Sequence, residues 1–372
     1  GSEMCIRDSS GSYQYRINKY DLDFGPGMSV EMDHNTYSLG ATVSQPIYAG
    51  GQIYNNYKAA QVQGKITEQA EELTTDNIVY SADLNYWTAA ARKGMYDVMC
   101  QYVDIVGELA NVLTIRFNDG QISKTDLLQV ESRLKEAELN KSSAYKEYQI
   151  ALQNLNSLMG VSPLDPIEVE DSITTYLALP LQVGEDVALR NRPDYAISEL
   201  NIEYQKRQIN LSKAKYNPSL AIGFQGTWGT PMLNVKGSDQ LWTPAVFASL
   251  KIPLFRWGAR FKEVNSQKAI LRSKEYALDN TRDKIAQEVA NAWTSLTEYT
   301  KQITVAEEAC KIAEENLDLN TFSYNEGKLP ILDVLSAQLS WIQSYSSLIQ
   351  TWYQQKASLA QYNKAIGIRR LQ

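Results

Sequence analysis

The chain has 372 residues, a formal net charge of −7 and 44% hydrophobic residues, with one histidine, three cysteines and 23 tyrosines. Mild acidity without a basic patch argues against nucleic acid, and His34 with the dispersed Cys5, Cys100 and Cys310 cannot form a CxxC or HExxH metal site. No Gly-rich phosphate loop or nucleophile elbow occurs, so no catalytic residue, metal or cofactor is expected, and no uninterrupted run of 18 apolar residues exists, so no helix is expected to cross a bilayer.

The first residues, GSEMCIRDSS, have neither a basic n-region nor an apolar h-region. The string MCIRDS resembles translated adapter read-through, so residues 1–9 are read as a non-native leader. Two strands are expected near 10–18 and 36–48. In the second, Leu39, Ala41 and Val43 alternate with Ser38, Gly40, Thr42 and Ser44, the period of a strand with one apolar face. The polar, Gly-rich stretch 21–35 between them reads as a loop.

From Gly51 to Phe117 there is no proline, which predicts one helix of about 67 residues, or about 100 Å at 1.5 Å per residue. The turn Asn118-Asp119-Gly120 ends it, glycine suiting the left-handed residue of a helix stop. A helix over about 122–158 follows, capped by Ser123 or Thr125 with Asp126 near its positive end. Its seam is Val130, Leu134, Ala137, Ala144, Tyr148, Ala151, Leu155 and Leu158. Residues 161–185 read as a connector and about 186–216 as helix, with NRPDY opening the part from Pro193 to Tyr216 that leads into strands near 218–228 and 242–252. The stretch 229–240 reads as a second polar loop. A second proline-free helix runs from Gly258 to Tyr324, with the 3-and-4 seam Val289, Ala292, Leu296, Tyr299, Ile303, Ala306, Cys310, Ala313 and Leu317. The turn Asn325-Glu326-Gly327 then leads to Lys328, to Pro330 in a first helical turn and to Asp333. Residues 368–372 form a tail.

The chain is duplicated. Asn118 and Asn325 lie 207 positions apart, and the same step carries Pro46 to Pro253, Gly51 to Gly258, Gly120 to Gly327, Asp126 to Asp333 and Gly160 to Gly367. Residues 10–160 form a first repeat and 186–367 a second. Both turns are therefore expected at one end, with the four strands about 100 Å away at the other. Four strands of about ten residues with aromatic ends have the pattern of a membrane barrel, but they cannot close one. An open edge cannot face lipid, so several chains would have to share the barrel. The helices alone fit equally a coiled-coil adaptor or scaffold of the periplasm, and Asp126 and Asp333 alone fit simple compensation of the helix dipole. Cys100 and Cys310, not being 207 apart, are expected to remain unpaired.

The ordered motifs SQPIYAGG (44–51), RFNDGQISKTDLLQVESRL (116–134), NRPDY (191–195), KIPLFRWG (251–258) and YNEGKLPILDVLSAQLSW (324–341) resemble the TolC family of outer-membrane efflux proteins over about residues 10–370. The resemblance implies a mainly α fold with a transmembrane β portion: duplicated helical hairpins forming an α-barrel, and four strands contributing to a 12-stranded barrel of a homotrimer. It implies a location in the cell outer membrane, amid lipid and extending into the periplasm. The implied partners are a periplasmic adaptor and an inner-membrane pump of RND or ABC type, in tripartite efflux or type I secretion, without bond chemistry. It assigns gating and adaptor docking to Asn118, Asp119, Gly120, Asp126, Tyr324, Asn325, Glu326, Gly327, Lys328 and Asp333. It assigns the barrel–tunnel junctions to Pro46, Gly50, Gly51, Pro253 and Gly258. Asp333 matches the first aspartate of a constricting ring, whereas Ser336 occupies the second ring position. Tyr324 and Asp126 match a latch pair, and Leu329, beside Lys328, stands where the basic latch residue would be. A helix and a signal sequence are expected before residue 10.

Overall fold

A computed structural model describes residues 6–17, 21–23, 25, 29–231, 235–236, 239–254 and 256–368. In chain order the elements are β1 (Ile6–Tyr15), β2 (Asp21–Asp23), β3 (Ser29–Glu31), β4 (Asn35–Ala49), α1 (Gln52–Asn118), α2 (Lys124–Met159), α3 (Glu185–Asn191), α4 (Pro193–Ala214), β5 (Ser219–Gly229), β6 (Leu241–Lys251), α5 (Ala259–Asn325) and α6 (Ile331–Ala365). They divide into two compact units, residues 1–66 with 199–277 and residues 67–198 with 278–372.

The first unit holds an antiparallel sheet in the order β1-β4-β5-β6. Its register settles the faces. Leu39 lies beside Trp228 and Val43 beside Phe224, while Trp228 lies beside Trp242 and Phe224 beside Val246. Successive side chains on a strand point to opposite faces, so one face collects these residues with Tyr13, Tyr37, Ile222 and Leu250. The other carries Ser12, Ser38, Thr42, Gln225, Thr227 and Ser249. The apolar face is uncovered: Val246 is 84% exposed and Phe224 48%.

Glycines on β5 make room for aromatics on β6. A Cβ on Gly223 would lie 2.4 Å from the Phe247 ring, and one on Gly226 would lie 2.5 Å from Trp242. β1 includes Ile6–Ser9, residues expected to be leader, because ladder pairing with Ala41–Ser44 needs only backbone groups. The stretch expected to be a plain loop contains the β2–β3 pair, Asp21–Asp23 against Ser29–Glu31. Met32 also bridges Val235, and Lys236 pairs with Glu31 at 3.0 Å. Residues 1–5 of the expected leader and 369–372 of the tail lie outside the described residues.

The turn from β4 into α1 is tight. Gly50 has φ +63, and a Cβ there would stand 2.6 Å from the Ala214 carbonyl oxygen and 2.8 Å from Asn217 Cβ. Asn217 Nδ2 donates to the Gly50 carbonyl at 2.9 Å. The equivalent position in the second copy is Trp257, with φ +44.

The second unit is helical. Val98, Tyr102, Val106, Leu109 and Leu113 of α1 are buried with Val130, Ala137, Ala151 and Leu155 of α2 and Val334, Leu335, Trp341 and Trp352 of α6. A smaller cluster joins Ala188, Ile285, Val289, Ala292, Leu296, Leu359 and Tyr362. Much of the expected α5 seam is buried, though Tyr299 and Ala306 are half-buried. Leu158 of the α2 seam is exposed. One 18-residue window of α1 has mean hydropathy 1.3 and is one-third buried, so by length and composition it could cross a membrane, against the sequence expectation. The expectation counted uninterrupted apolar runs. In α1 the seam and outward residues such as Val112 and Ile115 are both apolar, which raises the mean without such a run.

The helix expected over 186–216 is broken. Arg192, with φ −82 and ψ 121, separates α3 from α4 because the proline ring of Pro193 pushes the preceding residue out of helical geometry. Arg192 then joins Asp194 (2.6 Å) and Glu288 (2.5 Å). Side chains fasten the connector: Lys93 donates to Val169 O at 2.9 Å, Tyr86 to Asp171 at 2.5 Å, and Asn156 to Asp165 O at 2.8 Å. Lys356, 1% exposed, donates to Thr175 O, and its ammonium lies 4.9 Å and 5.2 Å from the ring centroids of Trp87 and Trp352.

The duplication extends to individual hydrogen bonds. After α1, Gly120 N donates to Phe117 O and Gln121 N to Arg116 O. After α5, 207 residues on, Gly327 N donates to Tyr324 O and Lys328 N to Ser323 O. After α2, Gly160 N donates to Ser157 O and Val161 N to Asn156 O, matched by Gly367 N to Lys364 O and Ile368 N to Asn363 O. All four are Schellman stops with the glycine at φ between 68° and 75°. Cys100 and Cys310 are free thiols.

Two substitutions should move stability in opposite directions. Gly50→Ala is expected to cost more than about 1 kcal/mol, since the left-handed backbone and the close approach both oppose a side chain. Gly64→Ala, in a helix with open space around it, should add up to about 1 kcal/mol. Denaturant unfolding in detergent checks both, and equal effects would refute the close packing at Gly50.

Burial lowers the Lys356 amine to about 8 from 10.5, against a smaller opposing effect of Asp171. An unfolded chain then holds more protons between those values, so this residue's contribution to stability rises with pH across that window. Wild type should therefore gain on Lys356→Met as pH rises from 8 to 10.5 in thermal melts. A constant difference would mean that the amine is not held in its apolar cage.

Candidate functional site

The two turns meet within the helical unit. Arg116, in the last turn of α1, reaches the second turn: its Nη2 donates to Asn325 Oδ1 at 3.2 Å and to Asn325 O at 3.4 Å. Its guanidinium also lies 5.3 Å from the Tyr324 ring centroid. Tyr324 is 7% exposed, whereas Asn118, Asp119, Gly120, Asn325, Glu326, Gly327 and Lys328 are exposed. Burial raises the Tyr324 phenol, Arg116 opposes the rise, and the charge of Asp126 adds to it. Tyr324 and Asp126 are thus electrostatic neighbours, but the Asp126 carboxylate accepts its hydrogen bond from Ser123.

The helix starts beyond the turns differ. At α2, Ser123 is the N-cap: its Oγ accepts from Asp126 N at 3.1 Å and donates to Asp126 Oδ2 at 2.9 Å, a reciprocal cap. At α6 the N-cap is Pro330, without a side-chain cap bond, so Pro330 stands one position before the expected helical turn. Asp333 is exposed and equivalent in position to Asp126, but the serine that engages Asp126 has no counterpart there. Ser336 is also exposed, and Leu329 is half-buried.

The junction residues lie in the sheet-bearing unit. Pro46 interrupts an interior strand. It has no N–H to donate, and the β4–β5 register shifts between Pro46 and Tyr48. Pro253 lies beyond the end of β6, which stops at Lys251. The copies differ in register: β4 meets Ser219 at Ala49, three residues beyond Pro46, while β6 meets it at Lys251, two residues before Pro253. Gly51 and Gly258 both have positive φ, +89 and +73, and Gly51 O receives both Asn55 N and Asn55 Nδ2.

Arg116 was not among the candidate residues, although it stands in the RFNDG motif. Its signal is weak because its counterpart 207 residues on is Ser323, so duplication does not single it out. A basic residue in the last turn of a helix also has an ordinary role in offsetting the helix dipole.

The chain matches the family model "Outer membrane efflux protein" in two stretches, residues 11–161 and 186–368. It is 25% identical over 260 residues to nodulation protein T of Rhizobium leguminosarum bv. trifolii, covering 68% of this chain and 55% of that protein. It is 20% identical over 317 residues to outer membrane efflux protein BepC of Brucella suis biovar 1, covering 85% of this chain and 68% of that one. The chain thus spans about half the length of the first of these relatives. The fold is similar to the Campylobacter jejuni CmeC outer membrane channel, with TM-score 0.75 and 18% identity over 98% of this chain and 77% of that one. BepC is an outer membrane efflux protein and CmeC an outer membrane channel, and by the family match the chain belongs to the outer membrane efflux protein family.

Proposed function

We propose that the chain is one subunit of a homotrimeric export channel in the cell outer membrane, with four strands from each copy forming a 12-stranded barrel. The observation that carries this reading is the sheet. It has one apolar uncovered face, one polar face, and edge strands β1 and β6 each paired on one side only. All its neighbours are antiparallel, so β6 of one copy continues antiparallel into β1 of the next. Such closure leaves no edge in lipid. On α5, Val305, Ile312 and Leu319 repeat every seven residues on an exposed face, a stripe suited to a helix of a neighbouring copy. A periplasmic adaptor or scaffold would have no use for a sheet with an apolar outer face.

Within this reading, substrate crosses a water-filled lumen and the protein carries out no bond chemistry. A periplasmic adaptor docks at the exposed turns, and an inner-membrane pump of RND or ABC type drives efflux or type I secretion. The paired turns are the gate. Asp333 supplies a ring of three carboxylates, which the engaged state of Asp126 and the free position of Asp333 support. Arg116 serves as the basic tie between hairpins in the absence of a base at Leu329.

Planar-bilayer conductance tests the reading. Wild type should form discrete channels blocked by multivalent cations from the periplasmic side. Asp333→Ala should raise the half-blocking concentration on the order of tenfold, about 1.4 kcal/mol, without loss of assembly. An unchanged block would leave Asp333 as an ordinary helix-start acid.

Arg116→Ala should lengthen open dwell times while leaving cation block intact, since hydrogen bonds and a cation–π contact of about 1 kcal/mol each would be lost. Asp126→Ala should act in the same direction. Unaltered gating in both variants would remove the tie from the mechanism.

A further inference from the structure

Four cations line one cleft between α4 and α5 in the sheet-bearing unit. Lys206 and Lys213 come from α4, and Lys268 and Arg272 from α5. The cleft has a volume of about 770 Å³. Asn210 and Asn265 add amides, Ile209 and Leu271 add apolar surface, and no acidic residue lines it.

The charges are uncompensated. Flanking cations find partners: Arg207 meets Glu203 at 3.6 Å and Lys215 meets Glu263 at 2.6 Å. Among the described residues, the side chains of Lys206, Lys213, Lys268 and Arg272 make no hydrogen bond or ion pair. Like charges gathered around one cleft repel one another. In a chain of net charge −7, such a group suits an anion with several oxygens.

Position narrows the anion. Lys213 lies in the last turn of α4, which ends at Ala214 shortly before β5 begins at Ser219. Lys268 and Arg272 lie in the third and fourth turns of α5, which begins at Ala259 after β6. By the helix rise, Lys213 and Lys206 stand about 2 and 12 Å from the end of α4, and Lys268 and Arg272 about 14 and 20 Å from the start of α5. All four thus lie within about 20 Å of the sheet-side helix ends. If the apolar sheet face meets lipid, that is the depth of a headgroup layer and the aqueous film beside it. The half-buried Leu271 and buried Ile209 add an apolar floor that a free inorganic ion would not use.

We propose that this cleft binds the phosphate-bearing headgroup of an anionic phospholipid, anchoring the helices next to the sheet to the membrane surface. The proposal rests on the outer-membrane channel reading for the source of the ligand. Lysines near an anionic surface contribute about 1 kcal/mol each. Removing two should therefore weaken binding on the order of thirtyfold.

The test is calorimetric titration of the full chain in neutral maltoside micelles with dihexanoyl phosphatidylglycerol, dihexanoyl phosphatidylcholine and inorganic phosphate. Phosphatidylglycerol should bind at least about tenfold more tightly than phosphatidylcholine, and added salt should weaken it. The pairs Lys206→Gln/Lys268→Gln and Lys213→Gln/Arg272→Gln should each cause the loss, with helical circular dichroism retained. Lys262→Gln, on α5 outside the cleft, should not. Unaltered binding in both pairs would overturn the site. Displacement of the lipid by inorganic phosphate at equal concentration would overturn the lipid and leave a free-anion site. The titration requires no conduction, so a channel that failed to conduct could still bind, and a failed titration would leave the conductance result standing.

Discussion

A sheet that buries neither its apolar face nor its outer edges governs how this chain is read. In water, an exposed apolar sheet with open edges invites uncontrolled pairing. In lipid, unpaired backbone groups cost several kcal/mol each. Membrane burial would satisfy the face, and closure through further copies, as proposed, would satisfy the edges. Closure of this kind requires antiparallel neighbours throughout and an even number of strands, so that the last strand of one copy can pair with the first of the next, and the sheet has both.

Much of the fold was legible because its periods are long and its stops are chemical. Proline-free stretches closed by glycine predicted α1 and α5 to within one residue at each end, and both helices are 67 residues long. The 207-residue step returned as matched hydrogen bonds at all four Schellman stops. Period-2 patterning separated the strand faces before any register was known. What failed was local. The first strand begins at Ile6 rather than near residue 10, since its ladder needs only backbone groups, and the short β2–β3 pair has too few residues to show a period. The helix start at Pro193 was legible in NRPDY, whereas the helical pattern before it did not show that α3 ends at Asn191 as a separate helix.

The turns illustrate the opposite case, in which position was legible and chemistry was not. Duplication placed Asp126 and Asp333 at equivalent points, yet it could not tell that Ser123 engages the first while Pro330 leaves the second without a cap partner. The two copies share a backbone solution and differ in side-chain use. Arg116 shows the same divergence. Its backbone role is copied at Ser323, but its reach to Asn325 and Tyr324 is not. A residue whose function depends on the other copy has no reason to be duplicated.

The central claim is that β1 and β6 of separate copies complete one closed barrel, and inter-chain disulfide mapping tests it most directly. With Cys5, Cys100 and Cys310 replaced by serine, one cysteine at Ser12 on β1 is combined in turn with cysteines at Thr243, Ala245, Phe247 and Ser249 on β6, and membranes are oxidised. The account requires one or two neighbouring pairs to give a ladder that ends at three chains, with the other pairs unreactive. A ladder that continues past three, or no inter-chain product at any register, would contradict it.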